Sequence, residues 1–436
     1  MKIRFVTLGC KLNFAESSAI GKALLQRGHT RAKQGEEADI CVINTCSVTD
    51  NADHKDRQTI HRINRQNPNA IIIVTGCYAQ LQPEQIAQIE GVDYVLGQNE
   101  KYEITQLVDD IERLRDSLED ASLQDAASGY SLEAKKIRVA NIREVEEFHG
   151  AYSKDDRTRC FLKVQDGCNY FCTYCTIPYA RGKSRNPAIS DIIKDAQEAI
   201  LQGAKEIILT GVNIGDFGRS TGESFLELLR ALDSLEAKGM DYRIRISSCE
   251  PNLLTDEIID FVAQSKHFAP HFHIPLQSGS NKVLSIMKRR YTRELFEERV
   301  QHIKQVMPHA FIGVDCMVGV RGETEECFND YVEFIKRLDV SQLHVFTYSE
   351  RANTRMLELD VCIVPKAERQ RRSKILHEIS EEKTQTFYAK QAGREAIVLW
   401  ESKKEGDQMA GFTENYVKVY RPYDKAKVNT FEVIRL

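Results

Sequence analysis

The sequence predicts an α/β protein in three sections: an open parallel α/β domain at the N-terminus, a central (β/α)6 partial TIM barrel, and a small C-terminal β-barrel. Three observations predict it. Over residues 1–110, short β-branched runs alternate with helical stretches, the pattern of parallel strands buried on both faces. The alternation resumes at Arg159 and repeats through six strands separated by helices. From about Lys383 the chain changes to short strands without long helices. The expected boundaries are 1–145, 146–380 and 381–436.

In chain order, Ile3-Arg-Phe-Val-Thr-Leu8, Asp39-Ile-Cys-Val-Ile43 and Ala70-Ile-Ile-Ile-Val-Thr75 read as buried parallel strands. Ala15–Arg27 and Asn51–Gln66 read as the helices between them. A polar, charge-rich stretch from Arg113 to His149 has weak periodicity and reads as a connector, part of it helical. The barrel strands are expected at Phe161–Gln165, Glu206–Thr210, Tyr242–Ser247, His271–Ile274, Phe311–Val318 and Gln342–Phe346. The C-terminal strands are expected at Ala396–Glu401, Tyr416–Tyr420 and Asn429–Ile434. There is no internal repeat and no low-complexity tract.

With 436 residues, 42% of them hydrophobic, the chain can bury a sizeable core in two or three domains. No apolar run approaches the ~18 residues needed to span a bilayer, and the N-terminus lacks a signal-peptide pattern. The expectation is a soluble, cytoplasmic protein with no membrane partner. Twelve cysteines in a reducing compartment point to metal ligation or chemistry rather than to six disulfides. A formal net charge of −4 argues against a generally basic nucleic-acid binder, so any RNA contact must come from local patches.

Cys168-x-x-x-Cys172-x-x-Cys175 supplies three thiolates within one short stretch. A [4Fe-4S] cluster held by protein alone takes four cysteines, and no fourth lies nearby. Zinc sites usually show two Cys or Cys/His pairs, whereas this stretch has one pair and no histidine. The economical reading is a cluster with one iron left open for a substrate or cofactor. In this the segment resembles the radical S-adenosylmethionine enzymes.

A second set lies in the N-terminal section: Cys10 in Leu8-Gly-Cys-Lys-Leu-Asn13, Cys46 in Asn44-Thr-Cys-Ser-Val-Thr49 and Cys77 in Thr75-Gly-Cys-Tyr-Ala-Gln80. Each cysteine falls just past the end of an expected strand. In an open parallel sheet those ends share one edge, where ligands bind. Buried cysteines are common in cores, but Gly9, Gly76 and the polar neighbours are odd for core packing. The three read as one site, again with an open iron.

Two three-cysteine sites followed by a β module resemble the methylthiotransferase family over nearly the whole chain. The matching stretches are Gly9-Cys-Lys-Leu-Asn13, Asn44-Thr-Cys46, Thr75-Gly-Cys77 and Gln165-Asp-Gly-Cys-Asn-Tyr-Phe-Cys-Thr-Tyr-Cys-Thr-Ile-Pro-Tyr-Ala-Arg-Gly182. Thr210-Gly-Val-Asn-Ile-Gly215, Pro275-Leu-Gln-Ser-Gly-Ser280, Gly322-Glu-Thr-Glu-Glu326 and Gly411-Phe-Thr-Glu-Asn-Tyr416 continue the match. The C-terminal section resembles the TRAM domain, a small RNA-binding β-barrel. The Gly-Cys-Lys-x-Asn form resembles the branch that modifies threonylcarbamoyladenosine beside the tRNA anticodon. The isopentenyladenosine branch usually has Gly-Cys-Gln-Met-Asn there, and the ribosomal-protein branch Gly-Cys-Pro-Lys-Asn. Departures from the family wording are Cys160 for alanine, Val320-Arg321 for Phe-Pro, and Thr347 for proline. None touches a cluster cysteine.

The resemblance implies two [4Fe-4S] clusters and S-adenosylmethionine. The cofactor's amino and carboxylate groups would chelate the open iron of the Cys168/Cys172/Cys175 cluster. One-electron cleavage would yield a 5′-deoxyadenosyl radical that removes hydrogen from C2 of the adenine. The Cys10/Cys46/Cys77 cluster would hold the incoming sulfur, methylated by another S-adenosylmethionine and then transferred. Tyr174 would pack on the cofactor adenine, and Thr210 and Gly211 would bond its amino group. Asn213 would do the same or cap the turn. Backbone around Met317–Gly319 would read the adenine edge. Gln277 and Ser278 would line the cavity or form an ordinary turn. The implied partners are a tRNA anticodon stem-loop and an electron donor such as flavodoxin or ferredoxin.

The remaining cysteines carry no ligand signal. Cys41, Cys249 and Cys316 read as core residues, and Cys160, Cys327 and Cys362 are assigned no role. His271-x-His273 reads as one face of a strand before it reads as a metal pair. Residues 383–436 hold ten Lys/Arg against seven Asp/Glu, with Phe412, Tyr416, Tyr420 and Tyr423 interleaved. Lys418 and Arg421 are the phosphate contacts expected there. Arg57 and Arg62, on a helix with His54, Lys55 and Arg65, and Arg371 and Arg372 are further ones. Other readings are an iron–sulfur electron carrier, a zinc-stabilised RNA-binding protein, or a methylthiotransferase acting on a ribosomal protein or on isopentenyladenosine in tRNA. A carrier rarely needs 436 residues or a barrel.

Overall fold

The computed structural model describes residues 1–33, 35–120, 136–153, 158–237 and 239–436. The middle of the expected connector, residues 121–135, lies outside them. The chain forms two compact units: Met1–Glu146 with Thr176–Lys183, and Glu147–Cys175 with Ser184–Leu436.

The first unit is built on six parallel strands: β1 (Lys2–Thr7), β2 (Thr30–Arg31), β3 (Ile40–Thr45), β4 (Ile71–Gly76), β5 (Tyr94–Leu96) and β6 (Ile137–Arg138). Their order is β2-β1-β3-β4-β5-β6. Apolar side chains on both faces explain the unbroken hydrophobic runs: Cys41, Ile43, Ile72 and Val74 pack on one side, and Ile40, Val42 and Ile73 on the other. Helix Lys11–Gln26 buries Leu12, Ala15, Ile20 and Leu24. Helix Asp50–Gln66 starts where the Thr49 side chain accepts the Ala52 N–H, with Asp50 and Asp53 in its first turn. The strands β2, β5 and β6 have two or three residues each, too short for a periodic signal.

In the second unit six parallel strands follow: β7 (Arg159–Lys163), β8 (Glu206–Thr210), β9 (Arg243–Ile246), β10 (His271–Gln277), β11 (Phe311–Val318) and β12 (Gln342–Thr347). They hydrogen-bond in two sets of three, β7-β8-β9 and β10-β11-β12. Parallel bridges Ile244–Phe268 and Ser248–His273 join the sets. One hydrophobic core runs beneath all six strands and their helices. This is the partial barrel that the alternation predicts.

The C-terminal strands are β13 (Glu395–Glu405), β14 (Gln408–Thr413), β15 (Lys418–Pro422) and β16 (Phe431–Arg435). They form a curled antiparallel sheet in the order β15-β14-β13-β16, a half-barrel. The sequence reading missed β14, because Ala410 and Gly411 carry little strand propensity. Gly411 is required there: a Cβ would run into Val398 and Trp400. The helix Lys366–Lys390 passes through the point where the sequence pattern changes.

The half-barrel is bound to the barrel strands by buried charge. The fully buried Glu206 pairs with Arg243 and, at 3.1 Å, with Arg245. Arg243 donates to the Ile397 carbonyl at 3.0 Å and the Phe412 carbonyl at 2.9 Å, and Arg245 to the Glu414 carbonyl at 3.1 Å. Burial alone would raise the Glu206 pKa, but Arg243, Arg245 and Arg159 outweigh it and hold the carboxylate ionised well below the usual range.

Candidate metal centres

The strand-end set in the first unit is assembled by topology. Cys46 and Cys77 directly follow β3 and β4, neighbours in the sheet, and Cys10 follows β1 by three residues. Close backbone approach brings them together. A Cβ on Gly9, which has φ +93°, would lie 2.6 Å from Cys46 Cβ. Gly76, at φ +102°, leaves no room for a Cβ against the Thr45 backbone. Burial pushes the Cys46 thiol up to about 12, and the neighbouring Cys77 and Cys10 thiols add to the effect. Cys77, fully enclosed, is raised by burial and drawn back by Arg181 and Lys101.

Polar side chains close around these thiols. Gln98 Nε2 donates to Cys77 Sγ at 3.2 Å, and Lys101 Nζ donates to Gln98 Oε1 at 2.5 Å. Lys101 also pairs with Glu16 at 2.5 Å. Arg181 grips both Glu16 oxygens at 3.1 and 3.2 Å and donates to Asn13 Oδ1 at 2.6 Å. Cys10 Sγ stands 3.8 Å from that same oxygen. The Cys46 N–H donates to Asp56 at 2.9 Å, whose carboxyl burial pushes up to about 8. Sequence reasoning missed Gln98, Lys101, Glu16 and Arg181. Two of them left a signal: Glu16 falls on the same helical face as Leu12 and Ile20, and Arg181 lies in the matching stretch that ends at Gly182.

The Cys168/Cys172/Cys175 set in the second unit is local. It occupies the loop after β7, with Gly167 at φ +69° and Phe171 at φ +50° making the turns. The loop is anchored at its centre. Thr173 N–H donates to the Met287 carbonyl at 3.1 Å, its hydroxyl to the Ile286 carbonyl at 2.9 Å, and its carbonyl accepts the Met356 N–H at 2.8 Å. Arg289, buried and paired with Glu250, donates to Cys172 Sγ at 3.2 Å and to Tyr174 Oη at 3.4 Å. Tyr170 N–H approaches Cys168 Sγ at 3.4 Å. Burial pushes Cys168 up to about 12. Arg289 and Glu250 carried no spacing signal and were also missed.

Both sets fit an iron–sulfur cluster. Each offers three thiols whose protons iron would displace, and each aims N–H donors at sulfur, as thiolate ligands require. Among the described residues no three His, Cys, Asp or Glu side chains converge on a single-ion position. In a four-iron cube each thiolate takes an iron of its own.

The expected cofactor residues divide into two groups. Tyr174 and Met317 pack against one apolar cluster with Val283, Met287 and Val320. Asn213 is buried, and its side-chain amide makes no hydrogen bond among the described residues; Gln277 Oε1 is likewise unsatisfied. Buried polar atoms of this kind suit a ligand. The backbone N–H groups of Val212 and Asn213 bond Gln165 Oε1 at 3.0 and 2.8 Å, which shapes the Thr210-Gly211 turn. Three further expected positions already hold partners within the protein. The Thr210 hydroxyl donates to the Ile208 carbonyl at 3.1 Å within its own strand. Ser278 is fully buried and accepts the Ser280 N–H at 3.3 Å, a turn-forming role. The Gly319 N–H donates to Glu323 at 2.6 Å and is not free for an adenine.

The expected phosphate contacts also divide. Arg62 is exposed, and Arg57 is pinned to Tyr78 Oη at 2.7 Å. Lys418 pairs with Glu405 at 3.2 Å, and Arg421 with Glu432 at 2.6 Å across the curl of the half-barrel. Arg371 is exposed but held between Glu325 and Glu368. Arg372 is the correction: it is 4% exposed and committed to Glu323, Glu325 and Glu368, so no phosphate reaches it.

Residues 2–97 match the Uncharacterized protein family UPF0004, and residues 162–335 match the Radical SAM superfamily. Over 423 residues the chain is 36% identical to a threonylcarbamoyladenosine tRNA methylthiotransferase of Aquifex aeolicus, covering 97% of each chain. This chain belongs to the radical SAM methylthiotransferase family. It is a transferase that uses S-adenosylmethionine and a [4Fe-4S] cluster. The methylthiotransferase is 38% identical to the relative of the same name from Bacillus subtilis, covering 96% of this chain and 89% of that one. It is 31% identical to a tRNA-2-methylthio-N(6)-dimethylallyladenosine synthase of Pelotomaculum thermopropionicum, covering 94% and 88%. Its fold resembles that of the radical S-adenosylmethionine methyltransferase TsrM from Kitasatospora setae, at a TM-score of 0.57 and 16% identity over 79% of this chain and 72% of that one. No helix among the described residues is long and apolar enough to cross a membrane.

Proposed function

We propose that this methylthiotransferase adds a methylthio group to C2 of N6-threonylcarbamoyladenosine beside the anticodon of tRNA, using two [4Fe-4S] clusters. The observation that carries the substrate is Gly9-Cys-Lys-Leu-Asn13: Lys11, the branch-specific residue, is exposed directly beside Cys10 at the carboxyl edge of the sheet. The names of the Aquifex and Bacillus relatives support it.

The labour divides along the chain. Residues 1–145 hold the sulfur-donating cluster on Cys10, Cys46 and Cys77. Residues 146–380 hold the radical cluster on Cys168, Cys172 and Cys175, and residues 381–436 contribute RNA contacts. When bound, the radical cluster and S-adenosylmethionine supply one-electron cleavage that yields a 5′-deoxyadenosyl radical. This chain's own residues bind and orient. Tyr174 and Met317 offer an apolar wall to the cofactor adenine, and Asn213 and Gln277 offer unsatisfied amides to its polar groups. Gly211 keeps the turn open, since a Cβ there would meet the Gln165 carbonyl at 2.9 Å. Arg57 and Arg62 meet the RNA backbone, with Lys418 and Arg421 as lesser contacts because each is already paired. A flavodoxin or ferredoxin in the cytoplasm supplies electrons.

The test is nucleoside mass spectrometry of tRNA from a strain lacking the gene. Loss of the 2-methylthio group from threonylcarbamoyladenosine is the expected result. The 31% identical synthase favours a second reading, isopentenyladenosine. Loss of the methylthio group there instead, with threonylcarbamoyladenosine unaffected, would establish it.

A further inference from the structure

The barrel strands of the second unit present two different faces. On β10, β11 and β12 one face carries Phe272, Ile274, Val314, Cys316 and Leu343, all buried in the core shared with the helices. The alternate positions point into the barrel, and there solvent reaches the side chains. His273 and Asp315 are 22% and 17% exposed, and His344 is half-buried. These three meet. Asp315 and His344 are direct register partners across β11 and β12. His273 Nε2 donates to Asp315 Oδ1 at 2.7 Å, and the His273 and His344 rings lie 4.9 Å apart. Toward the amino ends of the strands the barrel is closed: His271 stacks on Phe311 at 5.3 Å, and Tyr416 of the half-barrel packs on both and under Arg245. Toward the carboxyl ends, two residues or about 7 Å further along β11, stands Met317, which packs with Tyr174. The trio lines the open middle level of the barrel, beneath the residues proposed for the cofactor adenine.

Imidazole and carboxylate side chains on this face suit a polar guest, because they offer both donors and acceptors. An apolar guest would strip water from them and return no hydrogen bond. A site built to hydrogen-bond its substrate therefore discriminates strongly against an analogue that lacks the partner groups. We infer that His273, Asp315 and His344 receive the polar substituent of the target adenosine and so select against an apolar one. The inference rests on the reading of threonylcarbamoyladenosine as the substrate. That substituent carries a urea, a hydroxyl and a carboxylate, whereas an isopentenyl group carries no polar atom. The two imidazoles are the donors to its oxygens. Asp315 is a positioning residue that fixes the His273 ring. None of the three takes part in the radical step.

The experiment uses full-length protein with its iron–sulfur content reconstituted and S-adenosylmethionine present without reductant, so that binding is read without turnover. Three anticodon stem-loops of one sequence differ only at the target adenosine, which bears the threonylcarbamoyl group, the isopentenyl group or neither. The parent should bind the threonylcarbamoyl form most tightly. His344→Leu should weaken that form about tenfold, the worth of one lost hydrogen bond to a charged group, and leave the unmodified form unchanged. His344→Gln, close to leucine in size but polar, should keep part of the preference. Asp315→Asn should reduce it as well. Formation of 5′-deoxyadenosine once reductant is added shows that a variant keeps its radical site. If Asp315→Asn loses that activity, the pair of His344 variants still decides the matter. Equal weakening of all three stem-loops in the His344 variants would reveal a merely structural role and overturn the inference, as would an unchanged preference. A parent that prefers the isopentenyl form would overturn the substrate reading beneath the inference, and the inference with it.

Discussion

The two cysteine sites reach the same ligand count by opposite routes. Cys168, Cys172 and Cys175 lie within eight residues of one loop, so their spacing is a property of the local chain. Cys10, Cys46 and Cys77 come from the ends of three strands, and only the β1-β3-β4 order of the sheet makes them neighbours. The loop is held by hydrogen bonds to Thr173, whereas the strand-end site depends on two glycines that let backbones meet. A local site can be read from spacing; a non-local one must be inferred from topology. Their surroundings differ as well. One buried arginine, Arg289, serves the loop, and a four-residue polar network serves the strand ends.

The strongest way to break the comparison is to remove each set in turn. Replacing Cys168, Cys172 and Cys175 with alanine should abolish 5′-deoxyadenosine formation and leave about four of eight irons. Replacing Cys10, Cys46 and Cys77 should leave that cleavage running while the methylthio product disappears. Iron assay and nucleoside mass spectrometry read both, and loss of cofactor cleavage together with product in the Cys10, Cys46 and Cys77 variant would mean that the sites are not separable.

The route of assembly can be tested more gently. Gly9→Ala should push Cys46 away from Cys10 and cost about four irons, with cofactor cleavage retained. If Gly9→Ala holds its full iron, close backbone approach does not build the strand-end site.

A third prediction concerns the second unit alone. Arg243→Leu leaves Glu206 with an incomplete set of partners and should destabilise this unit by ~3–5 kcal/mol, read by chemical denaturation. In the intact protein the folded pKa of Glu206 lies below its unfolded value. Its contribution is therefore complete above the ordinary glutamate pKa and is lost only as pH falls through the depressed folded value. The variant should lose this acid resistance. It also bears on the C-terminal section: because Arg243 and Arg245 bond the carbonyls of residues 397, 412 and 414, truncation from Lys383 should damage the barrel as well as RNA binding.

The smallest effects belong to the surface. Arg62→Ala should weaken tRNA binding and reduce the salt slope by about 1, measured by filter binding across salt concentrations. Arg371→Ala should leave the thermal midpoint and the salt slope unchanged, since its charge is already spent on Glu325 and Glu368. A clear loss of slope in Arg371→Ala would return that helix to the RNA-binding surface.

Much was legible in the sequence for a physical reason. Strand alternation, hydrophobic runs and the Cys-x-x-x-Cys-x-x-Cys spacing are local properties, and local properties survive in a linear string. The long strands and the barrel follow from them. What only the tertiary structure decided is which polar side chains share a buried space. Arg372 and Arg62 look alike in sequence, yet one is enclosed by three carboxylates and the other is exposed. Glu16, Gln98, Lys101 and Arg181 span more than 160 positions along the chain, and no periodicity links them. Buried ions must find opposite charges wherever folding brings them. That pairing is a property of three-dimensional packing, which the order of residues encodes but does not display.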